Sequence, residues 1–157
     1  MTSRVIALFL ALAPSLAGAA ITCTFSSTPG MGFGAYDDSS AVATDSTTSV
    51  VVQCFRVAGP ADVTVTLQIG PSATSGTISP RQMGSGANRL SYNLYRDSGR
   101  SQVWGQTSGV DTVTTTITNV PNNGSKTGTF VIYGRIPALQ SVAAGAYSDS
   151  VQITVLP

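Results

Sequence analysis

Histidine and glutamate are absent from this sequence, and Lys126 is its one lysine. Those three side chains carry most general acid–base catalysis, so an enzymatic reading has to begin with aspartate alone. Serine–histidine–aspartate and cysteine–histidine nucleophiles are excluded outright. Among the seven aspartates, Asp37 and Asp38 form the one adjacent pair. Neighbours on an extended chain point to opposite faces, so a solvated turn is the expectation there. A metal centre would have to be built without imidazole around two thiols, Cys23 and Cys54, which is too few ligands. No metal or cofactor is expected, and the chain reads as a non-enzyme. Charge is scarce as well: eight basic residues against seven acidic ones give a net charge of +1. Nucleic acid and anionic membrane both select a basic face, so neither is an expected partner.

Long apolar runs are missing beyond the first twenty residues; none approaches the roughly 20 residues of a membrane-crossing helix. Membrane insertion is therefore not expected. The first run is different in kind. Arg4 supplies a positive start, residues 5–12 are apolar, and Ala17, Gly18 and Ala19 fit the small-x-small pattern of a cleavage site. Residues 1–19 read as a secretory signal peptide. Residues 20–157 then form one mature domain of ordinary size, with seven charges of each sign once Arg4 is gone. An exported chain with a single pair of cysteines reads as carrying one disulfide, Cys23–Cys54. Closing a loop of this length stabilises by about 3–4 kcal/mol in the chain-entropy treatment.

Threonine, serine, glycine and valine dominate what is present, a strand-and-turn composition. Apolar–polar alternation, the period of a strand with one buried face, recurs along the chain. Ile21, Cys23 and Phe25 share a face of a short first strand, and residues 31–36 continue extended after the Pro29-Gly30 break. Val50, Val52 and Cys54 share a face within residues 48–57, aiming Cys54 at Cys23 across two neighbouring strands. Residues 62–69 alternate most cleanly, with Val63, Val65, Leu67 and Ile69 inward. Residues 70–87 are rich in Ser, Gly and Pro and read as a long exposed loop. Leu90, Tyr92 and Leu94 alternate within residues 89–96, a threonine-rich strand is expected over 110–120, and Phe130, Ile132 and Ile136 share a side within 127–136. Six or seven strands at this spacing predict an all-β sandwich with no helix, no repeat and no second domain.

Other motifs are weighed against plainer readings. Gly30, Gly32 and Gly34 have G-x-G spacing, and Gly124, Ser125, Lys126 and Thr127 echo the end of a phosphate loop. Neither is followed by the helix such a loop needs. Asn123, Gly124 and Ser125 match the glycosylation triplet, although a simple turn is the plainer reading. Trp104 is expected to pack on the core with its N–H satisfied. Arg96, Asp97 and Arg100 read as ion-paired turn residues. Met83, Trp104 and Leu139 lie in or beside loops that could meet an apolar surface, and ordinary packing accounts for each equally well.

The last stretch organises the rest. Val151, Ile153 and Val155 alternate with Gln152 and Thr154, and the sequence stops two residues later. A strand with a buried face needs partners on both flanks or a protected edge. The expectation is that this strand borders an open groove filled by another chain.

Specific residues carry a family likeness. Leu90-Ser91-Tyr92-Asn93-Leu94-Tyr95-Arg96-Asp97 followed by Val103-Trp104-Gly105 resembles the central motif of the spore coat protein U domain. Phe33 to Asp37, Val50 to Cys54, Tyr133 to Pro137 and Ala144 to Asp149 match further landmarks in family order. The family includes subunits of archaic chaperone–usher pili, secreted fibres used for attachment and biofilm formation. The resemblance implies an incomplete immunoglobulin-like β-sandwich lacking its final strand. A periplasmic chaperone lends that strand, and the N-terminal extension of a neighbouring pilin subunit later replaces it at the usher. Carried over by position, the donor-strand groove lies between Ile21 and Phe25 of the first strand and Val151, Ile153 and Val155 of the last. Five donor side chains buried there would contribute on the order of 10 kcal/mol gross, as much as a whole domain's net stability. About three residues precede Cys23 in the expected mature chain, a reach of roughly 10 Å. The distal tip of the fibre is therefore the expected position. A self-associating secreted coat or matrix protein, assembled without an usher, is the alternative. Both readings place the protein outside the cell after export through the periplasm.

Overall fold

A computed structural model describes residues 21–157; the signal peptide expected over residues 1–19 lies outside the described residues. Eight strands follow in order: β1 (Ile21–Ser27), β2 (Thr44–Arg56), β3 (Val63–Ser72), β4 (Arg81–Ser85), β5 (Asn88–Tyr95), β6 (Val113–Ile117), β7 (Gly124–Ile136) and β8 (Val151–Leu156). They form a five-stranded sheet in the order β1-β2-β7-β5-β4 and a three-stranded sheet in the order β6-β3-β8. Every paired neighbour is antiparallel. The all-β sandwich expected from alternation is what the chain adopts, and no helix occurs among the described residues.

The core follows from the period-two pattern. β2 and β7 pair without slippage from Thr44↔Ile136 to Arg56↔Gly124. Their inward residues Val50, Val52, Phe130, Ile132 and Ile136 are buried against Val63, Val65, Leu67 and Ile69 of β3. A one-residue slip would turn each of these sets toward water. β1 pairs with β2 so that Cys23 lies opposite Cys54, and the two form a disulfide. Trp104 is 1% exposed, and its indole N–H donates to the Leu67 carbonyl at 3.1 Å, which is the core placement its chemistry predicts.

The structure corrects the strand count and three local expectations. Residues 70–87 are not one exposed loop: β3 runs on to Ser72, and β4 occupies Arg81–Ser85. Arg81 has no exposed surface. Its guanidinium donates to the carbonyls of Ile69 (3.1 Å), Gly70 (2.9 and 3.2 Å) and Trp104 (2.8 Å), so a cation is spent on tying β4 to β3. The strand expected over 110–120 shrinks to Val113–Ile117, because Asp111 accepts the Thr107 backbone N–H (2.6 Å) and holds a turn ahead of it. Arg96, Asp97 and Arg100 are not ion-paired with one another. Asp97 accepts backbone N–H groups of Ser101 and Gln102, Arg96 donates to the Thr112 carbonyl, and Arg100 pairs with Asp45 at 3.3 Å.

Candidate functional site

Five strands set side by side span about 24 Å, and three span about 14 Å. The three-stranded sheet therefore leaves a strip of the larger sheet's inner face uncovered. β8 has one ladder partner, β3, and β1 has one, β2. Between these two edges lies a cavity of about 530 Å³. Its floor is the inner face of the larger sheet, with Thr48, Val50, Ile132, Leu94, Tyr92 and Met83; Phe25 lies on one side and Val151 and Ile153 on the other. The site is thus a stretch of apolar core, flanked by two strand edges whose outer backbone groups have no ladder.

The five residues expected to form the groove do not all contribute alike. All are half-buried and pack against the core. Phe25, Val151 and Ile153 line the cavity, whereas Ile21 and Val155 lie outside its lining. β1 and β8 approach within 8 Å of each other, Cα to Cα, without hydrogen bonding as strands.

Residues that alternation did not single out complete the site. Residues 28–43 connect β1 to β2 without joining a ladder. Met31 and Phe33 of this segment turn inward over Gly134 of β7, where a Cβ would fall on the Met31 sulfur and 2.7 Å from the Phe33 ring. Phe33 meets Tyr92 edge-on, with ring centroids 6.0 Å apart. Beyond them a second cleft of about 600 Å³ continues toward Val142 and Ala146; Met31, Phe33, Met83 and Tyr147 line both spaces.

One end of the strip is polar. The Tyr92 hydroxyl donates to Asp149 Oδ2 at 2.7 Å, and the Thr74 backbone N–H donates to Oδ1 at 3.1 Å. Burial pushes the Asp149 carboxyl up, but hydrogen bonds from Tyr92 and Thr74 outweigh it and hold the group below the usual carboxylate value. Burial, helped by Asp149, pushes the Tyr92 phenol well above its ordinary value. Gly84 and Ser148 exchange two backbone hydrogen bonds at 2.8 and 3.1 Å, fastening the approach to β8 onto β4. No cluster of three or more potential metal ligands occurs among the described residues. Of the loop residues considered for apolar contact, Trp104 and Met83 are core, and Leu139 is 64% exposed.

An all-β sandwich whose smaller sheet leaves core uncovered beside its last strand has the architecture of the immunoglobulin-like pilus subunits. Residues 9–154 match the profile of the Spore Coat Protein U domain, and the chain belongs to that family. Protein U of Myxococcus xanthus is 35% identical over 145 residues, covering 85% of this chain and 76% of that protein. Among solved structures, the chain is similar to one in the CsuC–CsuE chaperone–tip adhesion subunit pre-assembly complex, from the archaic chaperone-usher Csu pili of Acinetobacter baumannii. The TM-score is 0.55 at 18% identity, covering 87% of this chain and 39% of that one. A chaperone–tip adhesin complex of CFA/I fimbriae aligns at a TM-score of 0.40 and 12% identity, covering 87% of this chain and 42% of that one. The chain thus spans about two fifths of the length of either structural relative.

Proposed function

We propose that this protein is a structural subunit of a secreted fibre, completed by a β-strand that another chain lays between β1 and β8. The observation that carries the reading is the mismatch of five strands facing three, which leaves apolar core open next to a strand edge. Addition of a strand there supplies main-chain hydrogen bonds and buries alternate side chains on the exposed floor. The donors are a periplasmic chaperone during export and a neighbouring subunit after passage through an usher. The disulfide suits an oxidising compartment on that route, and the fibre would serve adhesion and biofilm formation. In this reading the role is structural, without catalysis. Two ladder spacings need about 9.5 Å, more than the separation to which β1 and β8 close in places, so the edges part as the strand enters.

Stability of the purified mature protein tests this directly. A strand-forming donor peptide at a hundred times its Kd should add about 2.7 kcal/mol, raising Tm by roughly 10 °C for a domain of this size. A stable monomer whose Tm is indifferent to chaperone and to donor peptides would sink the proposal. The distal tip, as the position in the fibre, is tested by deleting the gene: attachment should be lost while shafts persist. The likeness to Protein U supports a second reading, a coat or matrix protein that self-associates through the same edge without an usher. Concentration-dependent assembly of the pure protein, with no chaperone or usher genes alongside its own, would favour that reading.

A further inference from the structure

The chain has already placed two of its own side chains where an inserted strand would run. Met31 and Phe33 lie on the inner face of the larger sheet at Gly134, between the 530 Å³ cavity and the 600 Å³ cleft beyond. Gly134 pairs with Ser46 on one side and Leu94 on the other, so the notch it creates is in the body of the sheet rather than at its rim. Glycine is required there by close approach, since any side chain would collide with the residues seated over it. The seat is fastened at several points. The Ser46 hydroxyl donates to the Gly32 carbonyl at 2.6 Å, and the Phe33 ring edge rests on Tyr92. The Tyr36 hydroxyl donates to the Pro137 carbonyl (3.0 Å) and accepts the Gln140 backbone N–H (2.8 Å).

We infer that Met31 and Phe33 form a fixed stop that sets how far a partner strand can enter and so selects a short one. This inference rests on the strand-accepting reading of the groove. The partner it fits is an extended segment whose inward apolar side chains cover Thr48, Val50 and Ile132 and whose end abuts Phe33. Such a strand need be no longer than the six residues of β8 beside it, which turns about three side chains inward, fewer than the five expected from the family resemblance. A strand that ran through to the cleft near Val142 would have to evict both side chains from the Gly134 notch. Each extra inward side chain such a strand buried would strengthen its binding roughly tenfold or more, so the two cases separate by peptide length.

The test uses the disulfide-intact mature protein and synthetic peptides of alternating valine and threonine, from about five to about eleven residues long. Affinity should rise with length and then level off once the peptide spans β8. Nuclear Overhauser contacts between the Phe33 and Tyr92 rings should persist at saturation. In the double variant Met31→Ser with Phe33→Ser, and in Gly134→Ala, affinity should go on rising with the longer peptides. Should Gly134→Ala fail to fold, the double variant and the wild-type length series still decide. Affinity that climbs without levelling in the wild type, with loss of the Phe33–Tyr92 contact, overturns the stop and leaves the groove standing. Failure of every peptide to bind overturns the groove reading and the stop together.

Discussion

Replacing Arg81 with methionine probes the tie between β4 and β3, directly across the ladder from Tyr92 in the floor of the cavity. The guanidinium is fully buried and serves three carbonyl acceptors, on Ile69, Gly70 and Trp104. Hydrogen bonds to a charged group contribute about 1.5–3 kcal/mol each, so a naive sum reaches roughly 5–9 kcal/mol. Two effects lower it. Nη1 has no partner among the described residues, an unsatisfied donor costing about 1–3 kcal/mol that methionine removes. Methionine also fills the arginine's apolar volume, and its flexible chain packs well in irregular gaps. The net loss should be about 3 kcal/mol, near the upper end of what single substitutions do. In urea, with a slope of about 1–3 kcal/mol/M, that lowers the midpoint by roughly 1–3 M without changing the slope. Arg81→Lys should recover less than half, because an ammonium is a compact donor and cannot span three carbonyls as a planar fork does. A loss within about 0.5 kcal/mol for Arg81→Met would refute the reasoning, since the three carbonyls would then have found other partners at no cost.

Reduction of the Cys23–Cys54 bond, which closes a sequence separation of 31 residues, should lower stability by about 3–4 kcal/mol, read as a drop in Tm on adding dithiothreitol. Asp149 makes stability depend on pH. Its native pKa lies below the ordinary value, so its contribution is full above the unfolded pKa of about 3.9 and is lost as pH falls through the native one. Tyr92→Phe removes a hydrogen bond to the carboxylate and should flatten that acid limb, as followed by chemical denaturation between neutral and acid pH. The Trp104 indole, buried and bonded to the Leu67 carbonyl, should emit at short wavelength in the native protein and shift to the red on unfolding.

Alternation made the sandwich legible wherever inward positions are all apolar. In β3, Val63, Val65, Leu67 and Ile69 face the core with polar residues between them, and the cysteine pairing followed from Cys23 and Cys54 sharing inward faces. β4 escaped because one of its inward residues is Arg81, and no local pattern says that a cation will be buried. Only the three carbonyls gathered from β3 and the Trp104 segment make that position tolerable. The same holds for Arg100: its partner Asp45 lies 55 positions away and becomes a neighbour only because β7 pairs with both β2 and β5. At the site, Phe25, Val151 and Ile153 were readable as edge-strand residues. The role of Met31 and Phe33 was not, although one signal existed. The series Phe130, Ile132, Gly134, Ile136 drops a side chain in mid-strand, and such a gap in a packed interior is filled from elsewhere.

The hydrogen bonds between Gly84 and Ser148 have a consequence for growth. They fasten the approach to β8 onto β4 with the molecule's own backbone, while β1 and β8 share no ladder. If strands enter only between β1 and β8, as proposed, each molecule accepts one. Polymers made by that route are consequently strings with a direction, and branching would require a different kind of contact.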